Sequence, residues 1–326
     1  MDKVTMQKVT IGIPTYNQKE FLIYAIESAL AQNYPALEVI VADDCSTDGT
    51  EKVIKKYFND SRFKYHRNRE NLGRIKNYRN LLYNLATGDW YLNLDGDDVL
   101  LEASYITQCM KIIETIKDLV FVYGIRREIN ANFIPSIISS NSETVLSYVV
   151  FEGKEYFFKI PRMRKDRLNH ITCLYNRKLA MEIDFYRKNI ISTDLESLYR
   201  LSILGKVAFL PISAGGWRRH TTNVSAVLDI NKLKENYSLF TNVVDYAFQR
   251  MPEENTRIRK WLEDAVAKKL YTNTLSLFSA GKITDIFSLF RHCKGISPKS
   301  VLKVIFNPKL YVKLFITFLK GIKIDF

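Results

Sequence analysis

In the first hundred residues, short apolar runs and helix-period segments alternate four times, and few folds accommodate that order. Val9-Thr10-Ile11-Gly12-Ile13 reads as a buried strand stopped by Pro14; Phe21, Ala25, Ile26, Ala29 and Leu30 then recur at helical spacing. Leu37 to Ala42 is a second strand, followed by a cap-rich loop from Asp43 to Thr50 and a helix from Glu51 to Tyr57. Phe63 to His66 makes a third strand, Asn71-Leu72-Gly73-Arg74 opens a helix through Leu85, and Trp90 to Leu94 makes a fourth strand. The pattern predicts an α/β fold, a mostly parallel sheet with helices on both faces. In such a sheet the strand-to-helix turns share one edge. Thr15 to Asn17, Asp43 to Asp48 and Asp95 to Asp98 should therefore converge on one cleft.

The turn after the fourth strand carries the sharpest chemistry. Asp95, Asp97 and Asp98 fall within one turn, with Gly96 among them. Alternation sets Tyr91, Asn93 and Asp95 on one side of the strand, and Asp97 can point the same way. Adjacent anions repel, so a cation is the natural reason to tolerate them; hard oxygen ligands favour Mg²⁺ or Mn²⁺, shared with substrate phosphates. The competing expectation is an Asx-rich turn capping a helix at Leu101-Glu102-Ala103-Ser104.

A length of 326 residues suggests two domains of roughly 150 residues each. The net charge of +13 fits nucleic acid, an anionic membrane surface or phosphate-bearing substrates. Cys45, Cys109, Cys173 and Cys293 lack paired spacing, which argues against a zinc site or a disulfide framework. The start, from Met1 to Met6, lacks the apolar run of a secretory signal, and no stretch reads as a membrane span, so a cytoplasmic protein is expected.

Four stretches together resemble the nucleotide-sugar-binding half of family 2 glycosyltransferases, inverting enzymes with a GT-A fold. They are Ile11 to Asn17, Val41 to Thr50, Asn71-Leu72-Gly73 with Arg79-Asn80, and Leu94 to Asp98. Cys45 departs from the glycine usual in that family. The resemblance implies that Thr15, Tyr16 and Asp44 hold a nucleoside, usually uridine, within a nucleotide-sugar site that also draws on Pro14, Asn17, Asp43, Asp95 and Gly96. It makes Asp95 and Asp97 an Asp-x-Asp motif, with Asp97 nearest a Mn²⁺ or Mg²⁺ on the diphosphate. Arg74, just past Gly73, is positioned to support a phosphate.

Residues 126–168 are polar and aromatic, with a basic group at Arg162, Arg164, Lys165 and Arg167; the resemblance assigns such variable material to the acceptor side. Thr193 or Asp194 opens a helix with Leu195, Leu198 and Leu201 inward, and a strand from Gly205 follows and ends at Pro211. By resemblance Asp194 is the catalytic base, while Glu196 faces elsewhere. The segment Gly216 to Ser225 is similar to the family's closing motif, which implies diphosphate contact for Arg219 and metal or diphosphate contact for His220.

From Leu228 the chain reads as helical, with Trp261, Leu262, Ala265, Val266, Leu270 and Tyr271 as core. In the last helix Lys309, Lys313 and Lys320 fall within roughly 40° of one another at ~100° per residue, with Leu310, Phe315, Phe318 and Leu319 toward the other side. Lys323 adds charge, and Asp325 is the only acid between Arg291 and Phe326. That composition suits a helix lying in a membrane interface, or one docked on its own protein.

The expectation is a metal-dependent inverting glycosyltransferase that moves a sugar from a UDP-sugar to a surface glycan or lipid-linked oligosaccharide. It would sit peripherally on the inner face of the plasma membrane. Residues 1–225 would form the catalytic domain, with the donor half to 125, and residues 226–326 a helical region. The alternatives are a non-catalytic nucleotide- or glycan-binding scaffold and a nucleic-acid-binding protein. Basic residues that are spread out or gathered at the tail, without a recognisable motif, argue against nucleic acid.

Overall fold

The computed structural model describes residues 6–134, 147–163, 168–220 and 228–321, with side chains through Phe318. The expectations placed on Met1 to Thr5, on Arg164, Lys165 and Arg167, on Thr221 to Ser225, on Lys323 and Asp325, and on the side chains of Leu319 and Lys320 lie outside the described residues.

Strands β1 (Val9–Thr15), β2 (Leu37–Asp43), β3 (Phe63–Arg67) and β4 (Trp90–Asn93) pair in parallel in the order β3-β2-β1-β4. Between them lie helices α1 (Lys19–Leu30), α2 (Thr50–Ile54) and α3 (Arg74–Asn80). Every residue of β1 and β2 is buried, which is why they read as nearly continuous apolar runs rather than alternating ones. Pro14 does not stop β1. Its carbonyl accepts from Gly96 N at 3.1 Å, and its missing N–H would point the same way, past the end of β4, where no ladder donor is needed.

Beyond β4 come β5 (Val99–Leu100), α4 (Tyr105–Thr115), β6 (Leu119–Asn130), β7 (Val149–Phe151), α5 (Gly153–Lys159), β8 (Leu174–Asn176), α6 (Arg177–Glu182), α7 (Thr193–Ser202) and β9 (Lys206–Arg219). The sheet continues β4-β8-β6-β9-β5, with β8 antiparallel to both its neighbours and β6 parallel to β9. Two expectations are corrected here. The acidic turn does not cap a helix at Leu101: the fully buried Val99 and Leu100 pair with Gly216 and Gly215, and the helix starts only at Tyr105. Nor does the last strand end at Pro211. The proline sits where β9 advances from Phe209 to Ser213 while β6 advances only from Tyr123 to Ile125, an irregularity that needs no ladder donor, and the strand resumes to Arg219.

Over the described residues the chain forms two compact units. The first comprises Met1–Tyr156, Arg164–Asn189 and Thr193–Thr221, and the second Phe157–Met163, Ile190–Ser192 and Thr222–Phe326. The second unit contains α8 (Ile230–Asn236), α9 (Ser238–Arg250), α10 (Asn255–Ser279), α11 (Ile283–Ile296), α12 (Pro298–Ile305) and α13 (Pro308–Gly321). On α10, Trp261, Ala265, Val266 and Leu270 are buried while Leu262 and Tyr271 are half-buried. The Trp261 ring stacks on Phe157 at 4.7 Å, and its Nε1 donates to the Phe157 carbonyl at 2.8 Å. On α13, Leu310 is buried and Leu314 and Thr317 are half-buried, so positions i, i+4 and i+7 face inward. Leu310 was expected on the outward apolar side; it is the residue that packs, and Phe315 and Phe318 stay exposed. Among the described residues no helix is long and apolar enough to cross a membrane.

The two edges of the parallel strands differ in how they are held. At the amino edge, buried Glu38 accepts from Lys8 at 2.8 Å, Lys64 at 2.9 Å, Thr10 at 2.6 Å, and the Thr87 backbone and hydroxyl, each at 2.8 Å. Burial alone would raise its carboxyl, but these donors outweigh burial and bring it from 4.5 down to about 2. The resulting stabilisation, about 2–3 kcal/mol, is whole above pH 4.5 and drains away as pH falls toward 2. Unfolding free energy measured against pH should therefore decline across that window, and Glu38→Gln should flatten this part of the decline.

At the carboxyl edge Cys45 adopts φ 65°, in the left-handed region that strains an L-residue by about 1–2 kcal/mol. Relief of that strain outweighs the added chain entropy of glycine. Cys45→Gly should raise stability by up to about 1 kcal/mol in urea titration, and Cys45→Val should lower it by about as much.

Candidate active site

The acidic turn leaves β4 at the carboxyl edge of the parallel strands. Asp95 Oδ1 accepts from the Tyr78 hydroxyl at 2.6 Å and from Asn93 Nδ2 at 2.8 Å, and Asn93 in turn accepts from Tyr91 at 3.4 Å. Asp98 Oδ1 accepts from the Arg218 backbone N–H at 2.9 Å. Asp97 meets His220, Oδ2 to Nε2, at 2.7 Å. Ligand atoms of Asp95, Asp97 and Asp98 lie within 4.8 Å of one another. Gly96 lets this turn press against the loop after β1: a Cβ there would meet Gln18 Oε1 at 2.8 Å, Thr15 Oγ1 at 3.0 Å and the Pro14 carbonyl at 3.1 Å. Burial raises the Asp95 carboxyl above its ordinary value, with Asp97 adding and His170 and Tyr78 opposing. Burial, then Asp97 and Asp95, push Asp98 well above it.

The end of β9 supplies the other wall, and alternation along the strand separates its arginines. Arg218 points inward: its Nε donates to the Asp97 carbonyl at 3.0 Å, and its Nη1 donates to the carbonyls of Ala131 at 3.0 Å and Phe133 at 2.8 Å. Its guanidinium lies over Phe21 at 5.2 Å and Tyr24 at 5.5 Å, both on α1. Arg219, the residue singled out from the sequence, points outward, pairs with Glu128 and lies 5.5 Å over Trp217. His220 follows the strand and stacks on Phe21 at 5.1 Å. Sequence reading passed over Arg218; the signal was its parity with buried Gly216.

The loops after β1 and β2 are knitted together. Asn17, at φ 52°, donates its backbone N–H to Ser46 Oγ at 2.9 Å and accepts from Thr47 N at 2.8 Å. That turn leaves the Tyr16 ring exposed and buries Thr15. Asp43 is fully buried, accepting from Ser46 N and the Tyr65 hydroxyl, each at 2.8 Å. Asp44 accepts from Asn68 Nδ2, Leu72 N and Gly73 N, each at 2.8 Å. Those three bonds tie the Gly73 turn to β2 and leave roughly one of a carboxylate's four lone-pair directions for a ligand. Asp44 thus holds the loop directly.

Arg74 begins α3 and lies over Tyr78 at 5.5 Å. Burial alone would lower its guanidinium; Tyr78, Asp194 and Asp95 instead raise it above the ordinary value. Asp95 and Asp194, far apart in sequence, thus act on one cation. Asp194 stands in the first turn of α7. That helix is anchored by fully buried Glu196 and Arg200, bridged at 2.8 Å, with Arg187 adding a bond to Glu196 at 3.0 Å. Ser197 Oγ accepts from Tyr186 N at 2.9 Å. Leu198 and Leu201 pack inward as expected from the sequence, whereas Leu195 is only half-buried. Beneath Tyr78 lies a buried polar cluster that sequence reading did not find: His170 Nε2 meets the Tyr186 hydroxyl at 2.6 Å, which meets Tyr175 at 3.2 Å.

The donor set fits a hard divalent cation. Asp95 and Asp98 spend Oδ1 on protein donors, and crowded carboxylates pushed upward by burial and by one another mark a local deficit of positive charge. Carboxylate oxygens with an imidazole suit Mn²⁺ or Mg²⁺ better than a soft metal.

The model of the family described as Glycosyl transferase family 2 matches residues 10–180, just over half of the chain. Poly(ribitol-phosphate) beta-N-acetylglucosaminyltransferase TarS of Staphylococcus aureus is 34% identical over 115 residues, covering 35% of this chain and 18% of that protein. Chondroitin synthase of Pasteurella multocida is 28% identical over 241 residues, covering 72% of this chain and 23% of that protein. The chain thus spans about a fifth of the length of these curated relatives. The solved structure of TarS 1-349 in complex with UDP superposes with a TM-score of 0.55 at 15% identity, covering 97% of this chain and 92% of that one. Mannosyltransferase PcManGT from Pyrobaculum calidifontis, solved with GDP-Man and Mn²⁺, gives 0.55 at 13% identity, covering 97% and 87%. The mixed α/β architecture is the GT-A fold that these structures share, with helices following it at the carboxyl end.

Proposed function

The chain belongs to glycosyl transferase family 2, and on that premise we propose that it is an inverting, metal-dependent enzyme of surface-polysaccharide synthesis that takes a UDP-sugar as donor. One observation carries most of the weight: Asp97 Oδ2 and His220 Nε2, 123 residues apart in sequence, meet at 2.7 Å beside two further carboxylates. Relatives solved with UDP, and with GDP-Man and Mn²⁺, support the donor and metal classes.

In this reading Asp97 and His220 hold Mn²⁺ or Mg²⁺, which when bound supplies Lewis-acid neutralisation of the diphosphate. Tyr16 offers its exposed ring to the base, Thr15 and Asp44 the hydrogen bonds to base or ribose, and Pro14, Asn17, Asp43 and Gly96 the shape of the loops around them. Arg74, its guanidinium pushed above the ordinary value by Tyr78, Asp194 and Asp95 against the effect of burial, meets phosphate oxygens. Arg219 is close enough in sequence to contribute a second cation only by releasing Glu128. Asp194 takes the proton of the acceptor hydroxyl as that oxygen bonds to the anomeric carbon and the carbon–oxygen bond to the diphosphate breaks. Attack opposite the leaving group turns an α-linked donor into a β-linked product.

The acceptor is a surface glycan or lipid-linked oligosaccharide, and residues 1–225 form the catalytic portion. The helical region 226–326 keeps the enzyme peripherally on the inner face of the plasma membrane.

Two variants test this. Asp97→Asn should weaken UDP-sugar binding at least about tenfold in Mn²⁺ and little in EDTA, by titration calorimetry; wild-type affinity indifferent to metal would overturn the cation's role. Asp194→Asn retains size and capping ability but lacks the proton acceptor, so transfer should slow by about 10²-fold with donor affinity unchanged. Near-normal turnover in that variant would leave Asp194 as a first-turn helix residue without a catalytic role.

A further inference from the structure

Helix α13 docks through Leu310, Leu314 and Thr317, yet the rest of its circumference is not polar. Tyr311, Val312, Phe315, Ile316 and Phe318 are all exposed, Phe315 by 61% and Phe318 by 56%. The apolar surface continues onto the end of α12, where Phe306 is 77% exposed. Tyr311 joins the two helices by donating its hydroxyl to the Ile305 carbonyl at 2.7 Å. An outward face this rich in aromatic side chains is far from the usual solvated side of a docked helix.

Charge decides what covers it. No acidic residue lies between Arg291 and Gly321. Lys299 and Lys303 turn toward α10, pairing with Glu263 at 3.6 Å and 3.2 Å, and Lys303 also with Asp264 at 2.7 Å. Lys309 is exposed on the flank of α13, and Lys313, though exposed as well, turns its ammonium over the Tyr271 ring of α10 at 5.7 Å. A long-stemmed lysine on the rim of an aromatic face suits a boundary where hydrocarbon meets anionic headgroups, since the ammonium reaches outward as the stem stays in the apolar layer.

We infer that the outward face of α13, together with Phe306, is a docking surface for an anionic phospholipid bilayer, an assignment that rests on the membrane placement proposed above. Helix α13 lies along the bilayer, held from behind by Leu310. Phe306, Phe315 and Phe318 enter the acyl boundary, and Lys309, on the rim of that face, meets the headgroups. Sugar transfer plays no part in this contact.

The test uses the full chain with vesicles of zwitterionic lipid alone or mixed with phosphatidylglycerol, read by co-sedimentation, alongside UDP binding. Binding to the anionic vesicles is expected, weakening with salt. It should fall at least about tenfold in Phe315→Ser/Phe318→Ser and in Lys309→Glu. UDP affinity and melting temperature should stay unchanged, because none of these side chains is buried. Wild-type binding that both variants retain would overturn this surface while leaving membrane placement standing. A wild-type chain that ignores anionic vesicles at low salt would overturn both. Concentration-dependent dimerisation abolished by Phe315→Ser/Phe318→Ser, without vesicle binding, would assign the face to a second copy of the chain and overturn the lipid assignment.

Discussion

Like charges crowded at the end of β4 are the constraint around which the first unit is arranged. Two unit charges 4.8 Å apart repel by about 3 kcal/mol at an effective dielectric constant near 20. Bonds to charged groups give back about 1.5–3 kcal/mol each, so several are needed, and they arrive from separate elements. Helix α3 brings Tyr78, β4 brings Asn93, and the end of β9 brings the Arg218 backbone and the His220 ring. Helix α1 then covers Arg218 and His220 with Phe21 and Tyr24. The bonds from the Arg218 backbone and the His220 ring also tie the end of β9 to the turn after β4, alongside the β4–β8 ladder, so stability and site geometry share these atoms.

The parallel half of the sheet was legible because β1 and β2 are nearly continuous apolar runs and the turns after its strands are polar. That contrast survives any detail of packing. What failed was set by partners distant in sequence. Val99 and Leu100 look like the approach to a helix, and only the glycines of β9 turn them into a strand. The rule that proline ends a strand misjudged both Pro14 and Pro211, since each sits where the neighbouring strand asks for no donor. Cys45 is the opposite case: its departure from glycine flagged an unusual turn, and the backbone there does adopt the left-handed region.

Among candidate site residues, those carrying charge in a motif could be picked out, but not the neighbours that orient them. Tyr78 is four residues beyond Arg74, one helical turn away, and nothing in its own identity announces a bond to Asp95. His170 belongs to no motif and joins a buried hydroxyl cluster. In the second unit the helical period of α13 was plain, but which stripe packs depends on the facing surface, and Leu310 exchanged sides with no change in the pattern.

The irregularity around Pro211 fixes a parity. Downstream of it, Gly216 and Arg218 share one face of β9 while Trp217 and Arg219 share the other. Strand side chains alternate with a period of two, so a single residue gained or lost between Ile212 and Trp217 would exchange the arginines and carry His220 away from Asp97. Length variation in this short stretch is therefore forbidden in odd steps, even though it is remote from the acidic turn in sequence.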